Sequence, residues 1–230
     1  MGRETLVYEI DSPDVETRPS VLCLHGNGPT DKATTKYLGE RLAQAGLSTV
    51  RIDFSGQGES SGVLLESSLE KRRDEALSLA RWLKMEPLSI IGTSMGGYVA
   101  ATLLDALDVA SLVLFCPAAY SRRARTMTFQ DEFLEETRRA GSYLDSDVPQ
   151  LLGSFAGRAL VVFGTKDEVI PAAVRELYRT SWKSASSLRW LDLPGCPHPI
   201  HGWLAGRQDE RQRVADEVAA FLAAPSPSRG

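Results

Sequence analysis

Cysteine and histidine are scarce in this chain, with three of each in 230 residues. Cys23, Cys116 and Cys196 are an odd number, and no C-x-x-C pair occurs, so neither a disulfide framework nor a zinc ribbon organises the fold. Cys23 and Cys116 stand inside apolar runs and read as small core residues. Neither sign of charge is in excess. Lys and Arg total 26 against 30 Asp and Glu, a net charge of −4, which gives no reason to expect nucleic acid or an anionic membrane as partner. Long apolar runs are missing too. No stretch approaches the ~20 residues that span a bilayer. Met1-Gly2-Arg3-Glu4-Thr5 leads into a short strand-like run and not a signal-peptide core. These absences predict a cytoplasmic protein with no membrane span. The oligomeric state is not legible.

What remains is ordinary for a globular enzyme: 43% hydrophobic and 24% charged residues. A chain of this length can bury a large core, and a single domain over residues 1–224 is expected. The segment 225–230 (Pro-Ser-Pro-Ser-Arg-Gly) reads as a disordered tail. Strands are predicted at 5–10, 20–25, 48–53, 88–92, 111–116, 159–164 and 188–193. Most are short apolar runs without alternation, the pattern of parallel strands covered on both faces. Helices are predicted near 32–46, 66–85, 95–107, 171–181 and 207–223, with Gly46 in a C-cap position. Repeated β-then-α order predicts a twisted, mostly parallel α/β sheet of about seven strands with helices on both faces. One stretch breaks the rhythm. Residues 117–158 are long for a simple crossover and include a predicted helix near 128–140 with Tyr120, Phe129, Phe133 and Tyr143 around it. They form either a crossover or a small lid. Phe129 and Phe133 are candidate substrate contacts.

The chemistry centres on Gly92-Thr93-Ser94-Met95-Gly96, directly after the apolar run Leu88-Ser89-Ile90-Ile91 and before a buried helix. G-x-S-x-G at a strand–helix junction places a serine on a turn so tight that both flanking positions want glycine. The helix that follows adds backbone N–H groups beside the hydroxyl. A serine nucleophile needs a histidine base oriented by a carboxylate. In the chain order Ser, then Asp or Glu, then His that such elbows imply in α/β-hydrolases, His25 comes too early, so the base is His198 or His201, with His198 favoured. Asp167, just past the strand ending at Gly164, is the acid, with Glu168 as its rival. A Cys196–His198 pair is the weaker alternative nucleophile system. Two oxyanion donors complete the set: the Met95 N–H, and the Asn27 N–H in the loop His25-Gly26-Asn27-Gly28. His201 then becomes a loop-holding residue or a substrate contact.

These segments together resemble the α/β-hydrolase superfamily over essentially the whole chain. His25-Gly26-Asn27-Gly28 resembles its HG-x oxyanion loop, Arg51-Ile52-Asp53-Phe54-Ser55-Gly56-Gln57-Gly58-Glu59-Ser60 its R-x-D-x-x-G-x-G-x-S segment, and Gly92 to Gly97 its G-x-S-M-G-G elbow. Gly164 to Pro171 resembles the acid loop, and Gly195-Cys196-Pro197-His198 the G-x-x-H base loop. The HG loop and the D-F-x-G-x-G-E-S segment are most similar to bacterial feruloyl/cinnamoyl-esterase-like hydrolases. The resemblance implies the α/β-hydrolase fold with at most a small lid, and a serine esterase acting on a small-molecule acyl substrate through an acyl-enzyme, with no metal or organic cofactor. A peptidase, an acyltransferase and a non-catalytic ligand-binding protein share the same fold. Two departures stand out. The 117–158 segment is shorter than the inserted lid of those esterases, and one strand precedes the HG strand where two are usual.

Overall fold

Each predicted apolar run forms a strand. The computed structural model describes residues 4–224, and the 225–230 tail lies outside them. The strands are β1 (Tyr8–Asp11), β2 (Pro19–Leu24), β3 (Ser48–Ile52), β4 (Leu88–Thr93), β5 (Val109–Phe115), β6 (Arg158–Gly164) and β7 (Ser187–Leu193). They make one seven-stranded sheet in the order β1-β3-β2-β4-β5-β6-β7. β1 runs antiparallel to β3 at one edge, and every other pairing is parallel. Burial follows position in the sheet. Every residue of β6 is buried, while the edge strands β1 and β7 are mostly half-exposed. The interior strands are thus largely covered, the buried Arg51 of β3 and Arg158 of β6 included, and the exposed side chains fall on the two edge strands.

The helices are α1 (Lys36–Gln44), α2 (Leu69–Trp82), α3 (Met95–Thr102), α4 (Asp131–Arg138), α5 (Val148–Ser154), α6 (Ala172–Thr180), α7 (Ile200–Ala205) and α8 (Gln208–Ala223). α1 packs with α8, and α2 packs with α3, which also meets α5. Local chemistry sets their ends. Ser68 caps α2 by accepting the Lys71 N–H at 3.0 Å. α1 closes with Gly46 at φ 84°. There the Leu47 N–H returns to Leu42 O and the Gly46 N–H to Ala43 O, the paired bonds of a Schellman motif. The first turn predicted for α1 is instead a 3-10 turn over Lys32–Thr35, held by an Asp31 capping box. α3 is shorter than predicted, ending at Thr102, whose carbonyl accepts from Arg73 Nε. The short α5 and α7 carry too few periodic apolar positions to be read from sequence.

A parallel sheet collects the C-terminal ends of its strands on one rim. The ends of β2, β4, β6 and β7 lead to His25, Ser94, Asp167 and His198 respectively. The 117–158 segment, between β5 and β6, folds as two 3-10 turns (Arg122–Thr126 and Ser142–Asp145) with α4 and α5. It is too small for a separate lid domain, yet α4 lies beside Ser94 in the wall of the same cleft.

Candidate active site

The elbow is built by neighbours that leave no room for side chains. A Cβ on Gly92 would lie 2.5 Å from Gly96 O, and one on Gly96 would lie 2.2 Å from Leu24 O. Both obstacles are backbone, which cannot step aside. Ser94 itself takes φ 52° and ψ −114°, a region that costs a non-glycine residue about 1–3 kcal/mol. The surrounding structure over-determines it. The Ser94 N–H donates to Phe115 O at 2.8 Å, and Ser94 O accepts the N–H groups of Gly97 and Ala118 at 3.0 and 3.1 Å.

The predicted partners converge on the serine. Ser94 Oγ lies 3.1 Å from His198 Nε2, and His198 Nδ1 lies 2.9 Å from Asp167 Oδ2. The other Asp167 oxygen accepts the Val169 and Ile170 N–H groups at 2.9 and 3.0 Å. Burial by itself would raise the Asp167 carboxyl. The His198 hydrogen bond and the two backbone donors outweigh it, and the group ends below the ordinary carboxylate value. The acid and base loops are tied to each other. Thr165 N–H donates to Leu193 O, Lys166 N–H to Cys196 O, and Gly195 N–H to Thr165 Oγ1. Glu168 is exposed, and among the described residues the His198 Nδ1 partner is Asp167. Cys196 is excluded as a nucleophile: its thiol is buried, donates to the Pro197 carbonyl, and is pushed up to about 11 by burial. Cys116 Sγ, Asp167 and His198 offer ligand atoms within 4.8 Å of one another. Asp167 and His198 are hydrogen-bonded to each other, and burial keeps the Cys116 thiol protonated, so the donor set suits a hydrogen-bonded carboxylate–imidazole pair better than a metal.

A sequence profile of the serine aminopeptidase S33 family matches residues 15–142, which include the 25–28 loop, the 92–96 turn and α4. The chain belongs to this family of α/β-hydrolases. No curated protein matches it significantly in sequence. The fold is similar to that of Est1E from Butyrivibrio proteoclasticus, solved with ferulic acid bound, at 18% identity over 94% of each chain with a TM-score of 0.70. An esterase from Exiguobacterium antarcticum is similar at 19% identity over 96% of each chain, TM-score 0.69. A thermophilic esterase from Thermogutta terrifontis is similar at 21% identity over 94% of this chain and 92% of that one, TM-score 0.69. These likenesses are of fold. The family match stops short of Asp167 and His198, so the membership of those two in the site rests on geometry.

A cleft of about 490 Å³ opens above Ser94. Asn27 and Met95 line it with Ser94 and His198, and no hydrogen bond within the described residues engages either N–H. The 25–28 loop passes close to Ser94: a Cβ on Gly26 would lie 3.5 Å from Ser94 Cβ. Of the three candidate contacts, Phe133 lines the cleft, and Phe129 and His201 stand outside its lining. Phe129 is buried behind the wall with its ring under the Arg72 guanidinium. His201 is buried on α7, hydrogen-bonded to Thr93 Oγ1 at 2.8 Å and Tyr37 OH at 3.0 Å. Once α7 begins at Ile200, its first turn carries His201 behind the elbow and leaves His198 on the rim.

His25 braces its own loop, His25-Gly26-Asn27-Gly28. Its Nε2 accepts the Phe54 N–H at 3.2 Å, which leaves Nδ1 to donate to Gly26 O at 2.8 Å. Burial, with help from the nearby Arg72 charge, lowers His25 from 6.5 to about 4, and burial lowers His201 to about 4 as well. A base depressed in the folded protein binds its proton more readily once unfolded. Stability is therefore full above the unfolded value and is lost as pH falls from 6.5 toward about 4. Each ring accounts for roughly 3 kcal/mol across that window. The urea midpoint should fall steadily over this range, and a flat profile would show that the rings are not held neutral.

Proposed function

We propose that this chain is a serine hydrolase that cleaves carboxylic esters or thioesters of small, largely apolar acyl groups. The observation that carries the reading is the continuous Ser94–His198–Asp167 hydrogen-bond line beside two unengaged N–H groups. Ser94 Oγ attacks the acyl carbonyl while His198 Nε2 takes its proton. Asp167 holds the ring with Nδ1 protonated and stabilises the imidazolium. The Met95 and Asn27 N–H groups receive the oxyanion. His198 then gives its proton to the departing alcohol or thiol, leaving an acyl-Ser94. Water, activated by the same ring, releases the acid.

The cleft wall favours an ester over an aminopeptidase substrate. Ala118, Tyr120, Phe133, Leu134, Ile170 and Val174 make it mainly apolar. Among the described residues that line it there is no carboxylate to receive a substrate ammonium. A panel of p-nitrophenyl esters, acyl-thioesters and aminoacyl amides tests the assignment. Turnover is expected on the first two, and a preference for aminoacyl amides would overturn it.

α4 contributes the specificity wall. Phe133→Ala should change the ratio of kcat/KM between long and short acyl chains by about tenfold, the size of a small change in an apolar pocket. Phe129→Ala should cost about 3–5 kcal/mol of stability and leave that ratio alone. A chain-length profile measured beside thermal melts separates the two. Equal profiles for wild type and the Phe133 variant would make α4 a crossover only.

A further inference from the structure

Three donors converge on one carbonyl oxygen. Gly26 O accepts from His25 Nδ1 at 2.8 Å, Thr30 Oγ1 at 3.1 Å and Arg72 Nη1 at 3.2 Å. That oxygen belongs to the same planar peptide group as the Asn27 N–H. In a trans peptide the two point to opposite sides, so pinning the oxygen aims the N–H.

Arg72 is the unusual member of the trio. It is fully buried on α2, in the apolar stripe with Leu69, Ala76 and Leu79. Its hydrogen bonds all go to neutral oxygens: Gly26 O, Asn27 Oδ1 at 3.4 Å, and Gln57 Oε1. Glu75, one turn along α2, is bonded to Ser55 instead. Arg72 Nε has no partner among the described residues. The guanidinium lies between the Phe54 and Phe129 rings, 4.9 Å from each centroid. Burial lowers it only to about 10, so it is charged at neutral pH. Gln57 in turn donates to Gly28 O and Thr30 O at 2.8 and 3.1 Å, so the arginine grips the loop both directly and through Gln57. A buried cation without a bonded carboxylate is costly, and a packing role alone would be served by an apolar side chain.

We propose that Arg72 is a positioning residue for catalysis. Through Gly26 O it fixes and polarises the Gly26–Asn27 peptide, making the Asn27 N–H a stronger donor to the tetrahedral oxyanion. A charged donor on the carbonyl strengthens the hydrogen bond made by the N–H of the same amide. The inference rests on the serine-hydrolase reading above.

The test is ester hydrolysis by Arg72→Ala with and without added guanidinium ion. We expect kcat to fall about 10- to 100-fold, less than loss of a whole oxyanion donor, with KM nearly unchanged. Guanidinium at millimolar concentration should restore part of kcat, and urea should not. Arg158→Ala is the control for losing a buried guanidinium: Arg158 bonds Phe221 O and Ser111 Oγ instead, and its loss should lower stability with kcat intact. A folded Arg72→Ala protein with wild-type kcat, or one affected in KM alone, overturns the proposal. If Arg72→Ala does not fold, Thr30→Val removes another of the three donors; a lower kcat at constant KM supports the account, and an unchanged kcat overturns it. A wild-type protein that hydrolyses no ester and takes no fluorophosphonate would overturn the hydrolase reading itself.

Discussion

Ser94→Ala should give a folded protein with kcat for ester hydrolysis about 10⁴-fold or more below wild type. The hydroxyl makes its 3.1 Å contact with His198 and no other side-chain hydrogen bond, so its removal disturbs little packing. The elbow is held by backbone bonds from Ser94 to Phe115, Gly97 and Ala118, all of which alanine keeps. Thermal stability should therefore stay close to wild type. The activity that remains would come from the oxyanion donors and substrate binding. A folded variant with near-wild-type turnover would remove Ser94 from the mechanism.

The two histidines should separate cleanly. His198→Ala is expected to be nearly inactive, and combining it with Ser94→Ala should cost little more than either change alone, because the residues act as a unit. His201→Ala should keep at least about a tenth of wild-type kcat, a loss of at most ~1.4 kcal/mol in transition-state stabilisation. Its cost falls on stability. The substitution leaves the Tyr37 and Thr93 hydroxyls unpaired behind the elbow, and a buried unsatisfied group costs about 1–3 kcal/mol. Kinetics and melts on the three variants decide the matter. An inactive His201→Ala beside an active His198→Ala would reverse the assignment of the base.

The legible part of this protein is the part that local chemistry determines. Ser94 is readable because its turn excludes side chains at Gly92 and Gly96, and the collisions with Gly96 O and Leu24 O show why. Asp167 and His198 are readable because parallel strands deliver their C-terminal ends to one rim, so a carboxylate after β6 and an imidazole after β7 meet there. His201 was ambiguous because spacing does not say where a short helix begins. With α7 starting at Ile200, a difference of three residues becomes the difference between rim and interior. Phe129 and Phe133 looked equivalent for a similar reason: Phe133, on α4, stands in the cleft wall, whereas Phe129 precedes the helix and packs against Arg72. Arg72 was missed altogether. Flanked by Lys71 and Arg73, it reads as part of a solvated charged run. Its signal is period: it falls in register with Leu69, Ala76 and Leu79 on the buried side of α2, and an arginine on an apolar stripe needs a polar partner inside the fold.

Fluorophosphonate labelling followed by peptide mass mapping tests the central claim most directly, because the probe reacts with an activated serine whatever the natural substrate is. The account predicts one adduct, on Ser94, absent from Ser94→Ala and strongly slowed in His198→Ala. An unlabelled wild-type protein, or an adduct on a different residue, would contradict it.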